Sequence, residues 1–551
     1  MPVRFFEFFL KGPASVFLSG VPQNLTRFST AAMTTAVSDG FTAFFLRFFL
    51  ANPLRTMYPL SHHPMISTQR KDITMNAPFS SYLQSIAPCM KQVISLLGAS
   101  FDYDSILSTD SVGWRIAIGQ RSKAVTNSTM TTERGCVIRV CRDGLYGEYA
   151  FNHFDPEHPE QIAQDAMAAF RAQRELLSLT GTRPYATPAL PDEPCDLFTE
   201  FPVQELPETT DQEALIERFS RLSDLAMEKG EHLIECQVTA QSTHISKMFL
   251  SAHRDLRQSY VYSEGSIVPI AFHEGKNVYT HVSVAGREGP EIFAALEDKL
   301  DESLEIIHDL LRAERIVPGE YDVITSPEVT GLIAHEAFGH GVEMDMFVKH
   351  RALGSSYIGK RVGSDLVTMH EGAKCAVNVT SYAFDDEGTL AGDVTEIDHG
   401  ILRTGICDAL SALRLGTQPT GNGKRQNFEH KVYTRMTNTL FDSGTSSLEE
   451  MIRSVSHGYL LRGMQSGMED PKHWGIQCIV ERGYEIVDGR LTGRVVSPLI
   501  MTGYVPDLLG SVSMLSSDRE VFGSGGCGKG YKEWVKVADG GPCLKTRARL
   551  G

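Results

Sequence analysis

The sequence predicts an α+β fold, with N-terminal α/β domain(s) followed by a strand-rich C-terminal domain that carries one distinctive helix. Three observations predict it. Amphipathic helical segments alternate with short β-like runs through the first 318 residues. Beyond Gly341 the pattern turns strand- and glycine-rich. Between them, Ser326-Pro327 supplies an N-cap and an N1 proline directly ahead of "HEAFGHGVEMD" (335–345). The expected boundaries are an extension over 1–74, an N-terminal α/β domain over 75–190, a middle α/β domain over 191–318 and the strand-rich domain over 319–551.

Residues 1–74 differ from the rest. They hold bursts such as "FFEFFL" and "FTAFFLRFFL" and carry excess positive charge. The apolar run from Phe41 to Ala51 is too short to span a bilayer, and Arg47 interrupts it. A signal peptide fits poorly, because Glu7 and Lys11 break the first burst. Two readings stay open: an organelle targeting segment, or a non-native stretch before a start at Met65 or Met75. Either way this extension is expected to be poorly ordered.

The elements follow in order. Residues 81–97 read as a helix, and 136–151 as a hairpin turning at Asp143-Gly144. Residues 157–179 are an amphipathic helix, and the proline-rich stretch 181–194 is a linker. A helix over 210–229, strands over 232–285 and a helix over 289–313 come next. "GEYDVITSP" (319–327) is a strand into a turn, and the motif helix spans about 327–339. One clear helix, 446–458, interrupts the strands beyond it.

Composition narrows the function. Net charge is −16, which disfavours a nucleic-acid partner and gives no attraction to anionic membrane. The ten cysteines are scattered, which reads as free thiols in a reducing, cytoplasmic compartment.

The motif poses a geometric problem. Five residues advance an ideal helix by about 140°, so His335 and His340 would face different sides. A π-like turn, or a bend at the helix end, brings them together. Gly339 and Gly341 make such a distortion cheap. Two neutral imidazoles suit Zn²⁺, and Glu336 is placed to act as general base on water. A third ligand is needed, and Cys527, between glycines in "GSGGCGKG" (523–530), is the candidate, with Cys543 a weaker rival. The alternative is a helix end decorated with histidines and an incidental cysteine. "HEGAKC" (370–375) offers similar ligands, but its histidine and cysteine would point to opposite faces of extended chain. "CVIRVC" (136–141) reads as a strand face rather than a redox pair.

Together these residues carry a family likeness. "HEAFGHGVEMD" resembles the HExxxH motif of the TldD/PmbA family of zinc peptidases. "DDEGT" (385–389), "PTGNGKRQNF" (419–428), "RMTNT" (435–439) and "GSGGCGKG" look like further family blocks in the same order. The resemblance implies His335, His340 and Cys527 as zinc ligands and Glu336 as the base. It implies a catalytic TldD-like subunit that pairs with a PmbA/TldE-like subunit or with itself, and an unfolded peptide or protein substrate bound as an added strand. Arg435 and Asn438 are candidates for groups near the peptide or supporting the site. A thiolate ligand would make the metal a weaker Lewis acid, so slow turnover is expected. Two rivals remain: a non-catalytic, peptide-holding or regulatory subunit, and a zinc amidohydrolase acting on a small molecule. The stretch "MEDPKHWGIQCIVERGYEIVDGR" (468–490) departs from the family pattern and keeps only its hairpin, at "VDGR".

Overall fold

The computed structural model describes residues 74–126, 132–183, 185–530 and 533–551. The expected extension, 1–74, lies outside the described residues except for its last position.

Strand outweighs helix, 42% against 27%, in a mixed architecture. Strands β1 (Tyr103–Ile118), β2 (Glu133–Arg142), β3 (Leu145–Phe151), β4 (Leu233–Ser251), β5 (Arg254–His273) and β6 (Lys276–Tyr279) form the spine of a nine-stranded sheet. Their spatial order is β6-β5-β4-β1-β2-β3, antiparallel throughout. Strands from both sides of the 181–194 linker therefore share one sheet, with β1 between β4 and β2. The β2–β3 turn falls at Asp143-Gly144 as expected, with both residues at positive φ.

Helices pack on this sheet through their apolar stripes. Helices α1 (Ser81–Gly98) and α2 (Pro159–Thr180) bury Leu83, Met90, Ile162 and Phe170 with Ile106 and Ile138 of the sheet. Helix α3 (Gln212–Lys229) buries Phe219 and Leu222 with Val238 and Ile267. The helix expected over 289–313 starts as 3₁₀ turns, Pro290–Lys299, and becomes α-helical only as α4 (Leu300–Arg312).

The second sheet has eleven strands. Its path runs through β7 (Gly319–Thr325), β8 (Met369–Glu371), β9 (Val394–Asp398), β10 (Ile401–Leu402), β11 (Asn438–Phe441), β12 (His457–Asp470), β13 (Gly475–Val487), β14 (Leu499–Tyr504) and β17 (Ala538–Leu550), in the spatial order β7-β12-β13-β14-β17-β11-β8-β9-β10. Strand β7 pairs with both β12 and β17, so five strands close on themselves. Packed against them is helix α5 (Pro327–Ala334), whose residues 329–334 are all buried. A helix this apolar on every side belongs in a core.

Between β14 and β17, strands β15 (Gly526–Lys529) and β16 (Glu533–Lys536) pair as a small separate hairpin. The helical content beyond residue 341 exceeds the single segment expected. The 446–458 helix shrinks to α7 (Leu448–Arg453), opened by a Ser447–Glu450 capping box and followed closely by β12 at His457. Short helices α6 (Ala409–Leu415) and α8 (Val505–Gly510) are additional. Each is too short for a hydrophobic period to stand out.

Three of the sequence blocks have positions in this frame. "DDEGT" and "PTGNGKRQNF" join the two sheets. Glu387 pairs with Arg139 of β2, and Asp386 with Lys247 of β4. Asp385 accepts backbone N–H groups from Gly423, Glu387 and Thr389. Glu148 of β3 receives Arg139 at 2.8 Å and Arg425 at 3.1 Å. "RMTNT" runs into β11, beside the motif helix.

Candidate metal centre

Helix α5 is where the site begins. Ser326 takes the N-cap position with extended backbone, and Pro327 is the first helical residue. After Ala334 the helix widens: residues His335–Gly339 form a π turn, and His340–Val342 close it as a 3₁₀ turn. The His340 N–H donates to the His335 carbonyl, the five-residue bond that defines the wider turn. The extra residue removes the 140° mismatch. The two imidazoles come together with ring centroids 5.1 Å apart and planes at 87°.

The glycines have steric reasons. A Cβ at Gly339 would fall 2.1 Å from the Met436 sulfur, and one at Gly341 would fall 2.7 Å from a Glu469 oxygen. Gly467 of β12 lies over Glu336, where an added Cβ would be 2.3 Å from the Glu336 Cγ.

Cys527 arrives from β15, far along the chain. Its Sγ lies 3.4 Å from His340 Nε2. Ligand atoms of His335, His340 and Cys527 all lie within 4.8 Å of one another, the one such cluster of three or more among the described residues. The cysteine and His335 are buried, and His340 is partly so. Burial works to raise the Cys527 thiol, but His340 and His335 outweigh it and hold it far below the ordinary thiol range. Reciprocally, burial works to lower both imidazoles, and the thiolate outweighs it, lifting His335 to about 9. Two imidazoles around a thiolate form an N₂S donor set that fits zinc with one position left open. His335 Nδ1 is buried, makes no hydrogen bond within the protein and lies 4.0 Å from Asp539 Oδ2.

Around the ligands stand groups that the sequence reading assigned no role. His340 Nδ1 donates to Glu343 Oε2 at 3.1 Å. Lys529 donates to Glu343 at 3.0 Å, to Asp345 at 2.8 Å and to the Thr434 carbonyl at 3.0 Å. Asp539 of β17 lies 4.0 Å from His335 Nδ1, and burial raises its carboxyl to about 6. Glu469 of β12 has both carboxyl oxygens buried without a hydrogen-bond partner, and burial raises it to about 9. The local signals were small. Glu343 and Asp345 sit inside the quoted motif, and Lys529 is two residues from Cys527. Nothing in the sequence announces Asp539 or Glu469.

The remaining candidates separate cleanly. Arg435 is buried, and donates to the Cys527 carbonyl and, at 3.1 Å, to the Glu533 carbonyl. It therefore ties down both strands of the β15–β16 hairpin. Asn438 is also buried, donating to the Gly372 carbonyl at 3.0 Å and accepting from Thr380 at 2.9 Å. Cys543 lies outside the cluster, and burial raises its thiol to about 11. In "HEGAKC", His370 pairs with Asp393 at 2.9 Å, while Cys375 donates to the Asn438 and Gly372 carbonyls. Cys136 and Cys141 are buried strand residues and free thiols.

Residues 318–538 match the model of the PmbA/TldA metallopeptidase C-terminal domain. Over that stretch the chain is similar to the C-terminal domain of the TldD/PmbA family. A metalloprotease of Methanocaldococcus jannaschii is 34% identical over 241 residues, 44% of this chain. That match spans about half of the relative's own length, 52%. A zinc metalloprotease TldD homolog of Saccharolobus solfataricus is 26% identical over 338 residues, 57% of this chain and 73% of that one. The crystal structure of TldE from Thermococcus kodakarensis superposes with a TM-score of 0.66 at 18% identity, covering 84% of this chain and all of the other. That likeness is one of fold. Among the described residues, no helix is long and apolar enough to cross a membrane.

Proposed function

We propose that this chain is a zinc-dependent peptidase of the TldD type that hydrolyses peptide bonds in flexible or unfolded polypeptides. One observation carries the reading: a π turn and a distant hairpin bring His335, His340 and Cys527 within ligating reach of one another, with Glu336 next in the chain. His335, His340 and Cys527 would hold the ion. Zinc bound there supplies Lewis-acid activation of water and polarisation of the scissile carbonyl. Glu336 accepts the proton of the attacking water and returns it to the leaving amine nitrogen. Gly467 leaves room for Glu336 to occupy that position. Arg435 acts on the site indirectly, through the backbone of the Cys527 hairpin.

The substrate reading rests on a strand edge. Strand β7 pairs with β12 only over Gly458–Leu461, while β12 continues to Asp470 beside β13. Among the described residues, 462–470 thus have one ladder partner, and Gly467 on this stretch faces Glu336. An extended peptide added along this edge would pass its backbone over the catalytic carboxylate, and main-chain pairing selects little among sequences. A TldE-like subunit or a second copy of this chain would complete the assembly.

The test is cleavage of an unfolded, chromophore-labelled polypeptide by the zinc-loaded protein and by its Glu336→Gln variant. We expect loss of at least about 100-fold in rate with zinc content retained. Undiminished cleavage by the variant would remove Glu336 from the mechanism.

A further inference from the structure

The three expected ligands come from two pieces of chain with no covalent reason to meet: a distorted helix end and a hairpin almost 190 residues later. What aligns them is a closed circuit of side chains. In the last turn of the motif, His340 and Glu343 are three residues apart and share a face. On β15, Cys527 and Lys529 are two residues apart and project to the same side. Lys529 donates to Glu343 Oε2 at 3.0 Å, and that same oxygen accepts from His340 Nδ1 at 3.1 Å. His340 Nε2 then faces the Cys527 sulfur at 3.4 Å, and the Cys527–Gly528–Lys529 backbone closes the ring.

Resting on the zinc reading above, we propose that Lys529 is a positioning residue for the metal centre, acting on two ligands at once. Through Glu343 it orients His340. The carboxylate oxygen accepts the Nδ1–H hydrogen bond, which keeps the proton on Nδ1 and leaves the Nε2 lone pair pointing at the site. Through its own strand it holds the Cys527 thiolate against the histidines. All three ammonium protons are spent on fixed acceptors, Glu343, Asp345 and the Thr434 carbonyl. The side chain is 13% exposed, so it has little freedom to do anything else. Asp345 is steadied in turn by Lys349 at 2.8 Å. Arg435 grips the same hairpin from its backbone, so Lys529 supplies the side-chain half of the attachment.

Carboxylate groups that orient ligating histidines typically contribute 10- to 100-fold in metal affinity. A lysine that sets both the carboxylate and the thiolate strand belongs at the upper part of that range. The experiment measures Zn²⁺ affinity of the full chain by competition with a chromophoric chelator, for the unaltered protein and for Lys529→Met, Glu343→Gln and the double variant. Far-UV circular dichroism monitors folding. Co²⁺ substitution adds a second readout, the thiolate-to-cobalt charge-transfer absorption, which reports the Cys527 contact directly.

The expected result is a 10- to 100-fold weaker Zn²⁺ complex in each single variant, with loss or displacement of the cobalt band in Lys529→Met. The double variant should lose far less than the product of the single losses, because both residues act through one contact. A purely structural lysine would lower the melting temperature and leave the affinity of the folded protein alone. Weakening of less than tenfold in folded Lys529→Met overturns the assignment. If that variant does not fold, Glu343→Gln decides by the same threshold. Failure of the unaltered chain to bind Zn²⁺ would instead sink the metal reading itself, a different outcome from equal binding by all variants.

Discussion

The junction between the two sheets and the metal centre are both built from buried charge, yet they treat it differently. At the junction, Arg139 meets Glu387 and Glu148, Lys247 meets Asp386, and Asp385 collects three backbone N–H groups. Of these groups and their partner Arg425, only the Arg425 Nε lacks a hydrogen-bond partner. At the metal centre the orphans accumulate: His335 Nδ1, Asp539 Oδ1, Glu343 Oε1 and both oxygens of Glu469. Buried polar groups in a finished scaffold satisfy one another, because an unmet one costs about 1–3 kcal/mol. At the candidate centre these atoms stand around the three candidate ligands. The family blocks sort accordingly. "DDEGT" and "PTGNGKRQNF" tie the two sheets together, while "HEAFGHGVEMD" and "GSGGCGKG" carry the candidate metal ligands.

The contrast can be broken at either end. The largest expected effect is at the junction. Arg139→Met leaves the Glu387 carboxylate buried beside an apolar side chain and should lower stability by about 3–5 kcal/mol in denaturant unfolding. Zinc affinity of the folded fraction should be unchanged. A loss of affinity with intact stability would merge the two regions that are here kept apart.

Next is a pH effect at the same junction. Glu133 accepts the Phe428 N–H at 2.6 Å, and burial raises its carboxyl to about 7 despite that bond. A folded pKa above the unfolded one favours the protonated form. Its contribution is present at pH 4 and is lost as pH rises toward and through 7. The decline should amount to about 3 kcal/mol at most, and Glu133→Gln should abolish it. An unchanged pH profile of unfolding in that variant would show that Glu133 titrates normally.

The smallest effect is steric and confined to the catalytic end. Gly467→Ala places a methyl group 2.3 Å from the Glu336 Cγ, so the carboxylate must shift. Peptide cleavage should fall about tenfold, roughly 1.4 kcal/mol, with zinc affinity preserved. Equal turnover would mean that Glu336 tolerates displacement and is not the positioned base.

The three side chains that the structure brings together could be picked out in the sequence, while the groups around them could not. Histidine spacing and flanking glycines called for a π-like turn or a bend at the helix end, because helix geometry leaves few ways to bring i and i+5 together. Cys527 stood out because glycines bracketed it. Lys529, Glu343 and Asp345 were equally visible as letters, but an ion pair between residues almost 190 apart has no periodicity to betray it. The same limit applies to the fold. Alternation found the strands of the first sheet, and a proline-rich linker suggested a break, yet β1 lies between β2 and β4 because strand pairing ignores sequence distance. Arg435 and Asn438 drew notice as polar residues in a family block. Their burial among carbonyl and hydroxyl partners follows from tertiary packing alone.

The most direct measurement is zinc stoichiometry. The protein would be stripped of metal, reloaded with excess Zn²⁺, desalted and assayed for metal per chain, beside His335→Ala and Cys527→Ala. The expected value is one zinc per unaltered chain and less than a tenth of that in either variant. One zinc per chain retained by Cys527→Ala would contradict a centre built across the π turn and the hairpin.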